Sequence, residues 1–326
     1  GGTLSSSTGS NLTLTTNNPI TINGAFTYSG NRSMNFGTGA VTSNASTNLT
    51  LSVSTGSLEL GGNLAGNSNA LTTLGTGNLI IDGSVNLSNS TATANTTETR
   101  LSVLDGTNLT LTTNGNIALT NSGGGLSLLV GGVDENVNNT SLATSGNFNN
   151  ATLAYIAARN NSNAKLNITG NANITAGEID LANTSASNFG STALVNITGG
   201  VNLTASSIWL SRGDSGATAA VTNATFILAN GSATLNGTVG NSTLALALGG
   251  IANNNTNNAT FILGSNATSA TLTVDGGIGA FNTSNNGTTA LDVVNGTIIP
   301  TVSSSTFLQG LTTANIGLGG LTFNTN

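Results

Sequence analysis

An all-β solenoid of degenerate repeats, each 20–40 residues long, is the fold this sequence predicts. Three observations predict it. Short stretches in which apolar residues alternate with Thr, Ser or Asn recur along the 326 residues, separated by Gly, Asn and Ser. Helical spacing is scarce. Several of the stretches return nearly verbatim further along the chain. Alternation at period two is the signature of a half-buried strand, whose successive side chains point to opposite faces. Recurrence at variable spacing is the signature of stacked units joined by corners of unequal length.

The strands are read in order. Asn11-Leu12-Thr13-Leu14, Asn48-Leu49-Thr50-Leu51, Ser57-Leu58-Glu59-Leu60 and Asn78-Leu79-Ile80-Ile81 come first. Asn108-Leu109-Thr110-Leu111, Asn116-Ile117-Ala118-Leu119, Glu178-Ile179-Asp180-Leu181 and Ser207-Ile208-Trp209-Leu210 follow. The segment 152–159 is the nearest to a helix, but its Leu153, Tyr155 and Ala157 also alternate, so it too reads as strand. The motif NLTLTT occurs at 11–16 and 108–113. NATFIL occurs at 223–228 and 258–263, followed by SATL at 232–235 and 269–272. NITAGEIDL from Asn173 matches NLTASSIWL from Asn202 at an offset of 29. Repeats of about 20–30 residues would give roughly 11–16 levels and, at about 4.8 Å per strand, a rod of about 50–80 Å. Val, Leu and Ile are expected inside, with Thr, Asn and Ser facing solvent. The dipeptides Asn23-Gly24, Asn114-Gly115, Asn230-Gly231, Asn236-Gly237, Asn286-Gly287 and Asn295-Gly296 are expected to turn the chain. A hairpin-built sandwich would use such turns as well, yet it leaves repeats at this scale unexplained. The chain is read as one continuous segment, 1–326.

Composition removes whole classes of function. Five dispersed cations against seven Asp and four Glu give a net charge of -6 and no electrostatic footprint for nucleic acid or anionic lipid. There is no Cys for disulfides or thiolate metal sites, and no His to act as base or ligand. A Ser-His-Asp triad is therefore excluded, and no cofactor is expected. No apolar run is long enough to span a membrane. Two Pro and abundant Val, Ile and Thr argue for a folded chain. The N-terminal Gly1, with no leader pattern after it, and the strand-like tail at 323–326 read as an excised piece of a longer exported protein.

Asn opens an N-x-[ST] triplet at 27 of its 52 positions, against about 15 expected from 91 Ser and Thr by chance. Strand alternation would favour [ST]-x-N equally, and that order occurs 19 times. From Asn150 onward the counts are 17 forward and 7 reversed, so a directional excess remains there. Two readings stay open, N-glycosylation and strand packing. The acceptor candidates are Asn167, Asn173, Asn196, Asn202, Asn223, Asn230, Asn236, Asn241, Asn258, Asn266, Asn282, Asn286 and Asn295. True acceptors must face outward, and repeat-equivalent pairs such as Asn173 with Asn202 and Asn223 with Asn258 would stack.

Glu178 and Asp180, at i and i+2, would share a face as acid/base or Ca²⁺-binding pairs do. The repeat sets Ser207 and Trp209 beside them, with Arg212 as the nearest cation in sequence. The competing reading is a solvated polar face with one aromatic filling a gap. Asp134-Glu135 reads as a loop charge, and Asp82, Asp105, Asp275 and Asp292 as turn caps.

NLTLTTNNPITINGAF from Asn11 and GNLIIDGSVNLS from Gly77 resemble passengers of the filamentous-haemagglutinin type from bacterial two-partner secretion. The tail STFLQGLTTANIGLGGLTFNTN from Ser305 resembles the spacer that joins strand repeats in autotransporter passengers. The resemblance implies a right-handed parallel β-helix displayed outside the cell. It implies a structural or adhesive role, with further copies of itself or host and matrix glycans and proteins as partners. No outer-membrane barrel or N-terminal secretion domain accompanies these motifs. A self-assembling filament, sheath or surface layer is the alternative, and a carbohydrate-active enzyme a third.

Overall fold

The computed structural model describes residues 1–325 except 7–8, 45–48, 67–70, 90–100, 104–109, 114–116, 122–125, 131–139, 145–147, 151–152, 157–161, 171–172, 183–189, 214–218, 241, 252–254 and 283–285. The described residues contain 34 strands and no helix. Every strand pairing is parallel, and through Thr256–Leu263 each strand bonds the strand three further along the chain; the last levels pair two further, because Thr289–Pro300 and Thr313–Phe323 each span two stacks. That rule generates three stacks. One is a 12-stranded sheet, from Gly2–Leu4 to Leu308–Gln309. The other two form a single 22-stranded sheet. They merge where Thr289–Pro300 and Thr313–Phe323 each run through both without breaking. The chain returns to the same stack after as few as 21 residues, Ile20 to Val41, and as many as 39, Gly231 to Ala270.

Parallel in-register pairing sets like residues over like, and the core is made of such columns. Leu58 lies under Leu79 and Leu60 under Ile81, all four fully buried. Ala224, Phe226 and Leu228 meet Ala259, Phe261 and Leu263 one for one. The two Phe rings stack with centroids 5.3 Å apart and 11° between planes. Burying each such side chain contributes about 1.5–3 kcal/mol, an upper estimate given a compact unfolded chain. Exposure alternates as period two requires: in Val221–Leu228 the even-numbered positions are buried and the odd-numbered ones are not.

Sequence repeats set the register at offsets of 29 and 35. Asn173 pairs with Asn202, and Asn223 with Asn258. Elsewhere identical motifs mislead by two residues. Ser232 of the first SATL meets Thr271 rather than Ser269. Leu12 joins a column through Met34, Leu58 and Leu79 to Leu111, not to the Leu109 of the repeated NLTLTT. A slip of two keeps every side chain on its face, whereas a slip of one would turn the strand inside out. Asn295-Gly296 also departs from expectation, because it lies inside the strand Thr289–Pro300 and turns nothing.

Corners are tight where levels touch. Gly264 has φ +78°, and a Cβ there would lie 1.8 Å from the Asn295 carbonyl oxygen. Gly240 has φ +50° with nothing within 4 Å of the same position. Gly264→Ala is expected to cost about 2–3 kcal/mol and Gly240→Ala about 1 kcal/mol, the difference being the clash. Urea unfolding of both variants measures it, and equal losses would contradict the packing described.

Candidate functional site

The outward face of the 12-stranded sheet carries the densest cluster of charge among the described residues. Ile179 and Leu181 turn inward from the strand Glu178–Leu181, leaving Glu178 and Asp180 on the other side. The next strand, Ser207–Leu210, sets Ser207 beside Glu178 and Trp209 beside Asp180. Arg212 Nη1 lies 2.7 Å from Asp180 Oδ2 and 3.2 Å from Glu178 Oε1. Ser207 Oγ donates to Glu178 Oε2 at 3.3 Å. The guanidinium carbon is 4.6 Å from the Trp209 ring centroid, within cation–π range.

A solvated face is not what forms. Asp180 is fully buried, and its Oδ1 has no hydrogen-bond partner. Segments 237–240 and 242–251, with Phe281, cover Trp209, whose Nε1 donates to the Gly249 carbonyl at 2.8 Å. The Phe281 ring centroid lies 4.4 Å away, and Val239, Leu244, Ala247 and Ile251 complete a second, outboard hydrophobic cluster. Burial, reinforced by the neighbouring Glu178 charge, holds the Asp180 carboxyl well above the usual carboxylate range despite Arg212. The 2.7 Å ion pair and the raised carboxyl pull in opposite directions, and desolvation of a side chain with no exposed surface outweighs a single guanidinium contact. The carboxylate that acid/base chemistry would need is thus sealed from any substrate. No group of three metal-ligating side chains occurs among the described residues.

Twelve of the thirteen acceptor candidates lie among the described residues, and none of the twelve is buried. Asn173, Asn202, Asn236, Asn266 and Asn286 are exposed, while Asn167, Asn196, Asn223, Asn230, Asn258, Asn282 and Asn295 are half-buried. Asn241 falls outside the described residues. Three pairs stack one strand apart: Asn167 on Asn196, Asn173 on Asn202, and Asn223 on Asn258. Two of them form amide ladders, with Asn202 Nδ2 donating to Asn173 Oδ1 at 3.2 Å and Asn258 Nδ2 to Asn223 Oδ1 at 2.9 Å.

Sequence reasoning missed an inward polar stack. Ser191, Thr222 and Asn257 occupy one register column and, with Asn255 and Ser211, are buried. Thr222 Oγ1 donates to Asn257 Oδ1 at 2.6 Å, Ser211 Oγ to the Thr222 carbonyl at 3.0 Å, and the Ala220 amide to Asn255 Oδ1 at 3.0 Å. Strand phase was the available signal, since Ser191, Thr222 and Asn257 each alternate in step with the inward apolar residues that follow them in their strands. Among the Asp residues read as turn caps, Asp275 accepts from Thr301 Oγ1 at 3.2 Å. Asp292 instead lies within a strand and accepts from Asn315 Nδ2 at 2.7 Å. Asp105, Asp134 and Glu135 lie outside the described residues.

No family model, curated protein or solved structure matches the chain.

Proposed function

We propose that the chain is a right-handed parallel β-helix serving as a non-enzymatic structural and adhesive fibre at the bacterial cell surface. The observation that carries this reading is the parallel bonding of strands that recur level after level, three strands apart through most of the chain, in a stack 12 strands deep. Such a stack is a rod about 50 Å long. Its rigidity follows from continuous ladders, and repeated outward side chains allow weak contacts to add through multivalency. The sequence resemblance to filamentous-haemagglutinin-type passengers supports display outside the cell. The sealing of Asp180 supports a structural rather than a catalytic role for the densest charged cluster among the described residues. N-glycans on the outward acceptors belong to the proposal, since they would hydrate a surface with few charges.

Self-assembly is the second reading, and one observation favours it. Ile316, Leu318 and Phe323 are exposed on Thr313–Phe323. A further strand level from a second copy would cover them.

Electron microscopy and intact mass of natively produced material test these readings together. Isolated rods with a mass raised by sugar increments are expected. Globular particles would overturn the fibre, an unmodified mass would remove the glycans, and continuous filaments would favour self-assembly.

A further inference from the structure

We infer that Asn23 is a site of spontaneous covalent modification, at which the side-chain amide is lost through attack by the Gly24 backbone nitrogen. The chemistry belongs to Asn-Gly pairs in general. Glycine lacks the Cβ that would shield its nitrogen, and it permits the backbone rotation that brings this nitrogen onto the preceding side chain. The chain has six such pairs, and five lie among the described residues. The fold leaves one of the five free to react.

Four are held. Gly237 donates its amide to the Ser206 carbonyl at 2.8 Å, and Asn236 donates its own to the Ala205 carbonyl at 3.0 Å. Gly296 is buried inside Thr289–Pro300, with Ala270 beside it on one level and Leu321 on the other. Gly231 is clamped in the same way between Val201 and Ala270, and a Cβ there would collide with the Val201 carbonyl oxygen. Gly287 is pressed as closely against the Asn257 carbonyl. Turning any of these nitrogens toward the preceding side chain requires local opening of a ladder or corner.

Asn23-Gly24 differs on each count. Asn23, Gly24 and Ala25 are exposed, in the corner between Ile20–Ile22 and Phe26–Tyr28. Nothing lies within 4 Å of the position a Gly24 Cβ would take. No hydrogen bond holds the Gly24 amide among the described residues. Asn44 Nδ2 stands 3.5 Å from Asn23 Oδ1, the oxygen on which negative charge develops as the ring closes.

Water is the one co-reactant. The Gly24 nitrogen gives its proton to solvent base and bonds Asn23 Cγ. The Cγ–Nδ2 bond then breaks, and Nδ2 leaves as ammonia with a proton from solvent. Water opens the resulting cyclic imide. Attack at Cγ leaves aspartate, whereas attack at the main-chain carbonyl carbon leaves isoaspartate, with the backbone rerouted through the side-chain methylene. Either product puts a negative charge on a neutral corner beside Asn44, and the second also lengthens the link between two strands.

Peptide mapping of the full chain, incubated in mildly alkaline buffer, tests the inference. The protein is made in a host that adds no sugar, so that every Asn amide starts intact. Pepsin digestion in acid stops the reaction, fragmentation locates each converted Asn, and isoaspartyl methyltransferase labels the rerouted backbone. In the folded chain Asn23 should convert at least about tenfold faster than Asn236 or Asn295, whose glycine nitrogens must first be released. Its rate should rise with pH, because the nitrogen attacks as its anion. In urea, where every pair keeps the same Gly neighbour and loses the fold, the rates should converge. Gly24→Ala, which meets open space, should slow conversion at Asn23 severalfold and leave the circular dichroism spectrum unchanged. Conversion of Asn236 or Asn295 as fast as Asn23 in the folded chain would overturn the inference. So would an Asn23 that converts in urea but not when folded, or an Asn23 rate unchanged by Gly24→Ala.

Discussion

Arg212→Met destabilises the fold by about 3 kcal/mol at neutral pH, and acid removes most of the penalty. The substitution keeps an unbranched apolar side chain and removes the guanidinium that lies over Trp209 and faces Asp180 and Glu178. Breaking a buried pair typically costs about 3–5 kcal/mol because a charge is left uncompensated. The low end applies because Arg212 and Glu178 are 23% and 21% exposed, and water screens part of their interaction. The pH dependence follows from Asp180, whose folded-state pKa lies above its unfolded value. The folded state then binds the proton more tightly, so this stabilisation is complete below the unfolded pKa. It is lost as pH rises through the folded one. Losing Arg212 raises that folded pKa further and widens the window. Asp180→Asn removes the part of the slope that Asp180 supplies, matching the native chain in acid and exceeding it in stability at alkaline pH. Trp209 is the sole Trp and sits within the cluster, so its fluorescence during urea unfolding at several pH values reports both variants. A penalty for Arg212→Met that is unchanged in acid would refute this account.

Phe261→Ala costs about 4 kcal/mol, and the damage stays near one end of the stack. Phe261 is fully buried, stacks on Phe226, and has Leu291 as its partner on the other side. Truncating a buried Phe removes its transfer energy and leaves a cavity that β-ladders on both sides prevent from closing. In an array where each level touches only its neighbours, stability is a sum of local terms. Amide hydrogen exchange should therefore accelerate in Val221–Leu228, Thr256–Leu263 and Thr289–Pro300. It should leave strands such as Ser57–Leu60 at native rates. Uniform acceleration along the whole chain would show a single cooperative unit instead.

Alternation made the strands legible. Ser57–Leu60, Asn78–Ile81, Glu178–Leu181 and Ser207–Leu210 fall where their patterns place them. Register was legible only where a long motif repeats with its flanks, as at Asn173 and Asn202. Short motifs such as SATL failed because the corner before the second copy, 264–269, takes up extra residues, and the backbone ladder accepts any even slip. The sealed carboxylate was illegible for a different reason. Period two says which way Asp180 points, but its cover arrives from segments dozens of residues away that carry no local signature of contact. The buried Ser191, Thr222 and Asn257 column was legible in strand phase, which sets each in step with inward apolar residues, but the polar residue type hid that signal.

Parallel ladders between non-consecutive strands make the protein durable. Covalent continuity and mechanical continuity are separate in this architecture. A protease that nicks the exposed corner at Ser303–Ser305 severs the chain there. The downstream strands Leu308–Gln309 and Thr313–Phe323 stay zipped to Gly277–Ala280 and Thr289–Pro300 through their ladders. A chain held by such ladders can be clipped at its corners and keep its strands together.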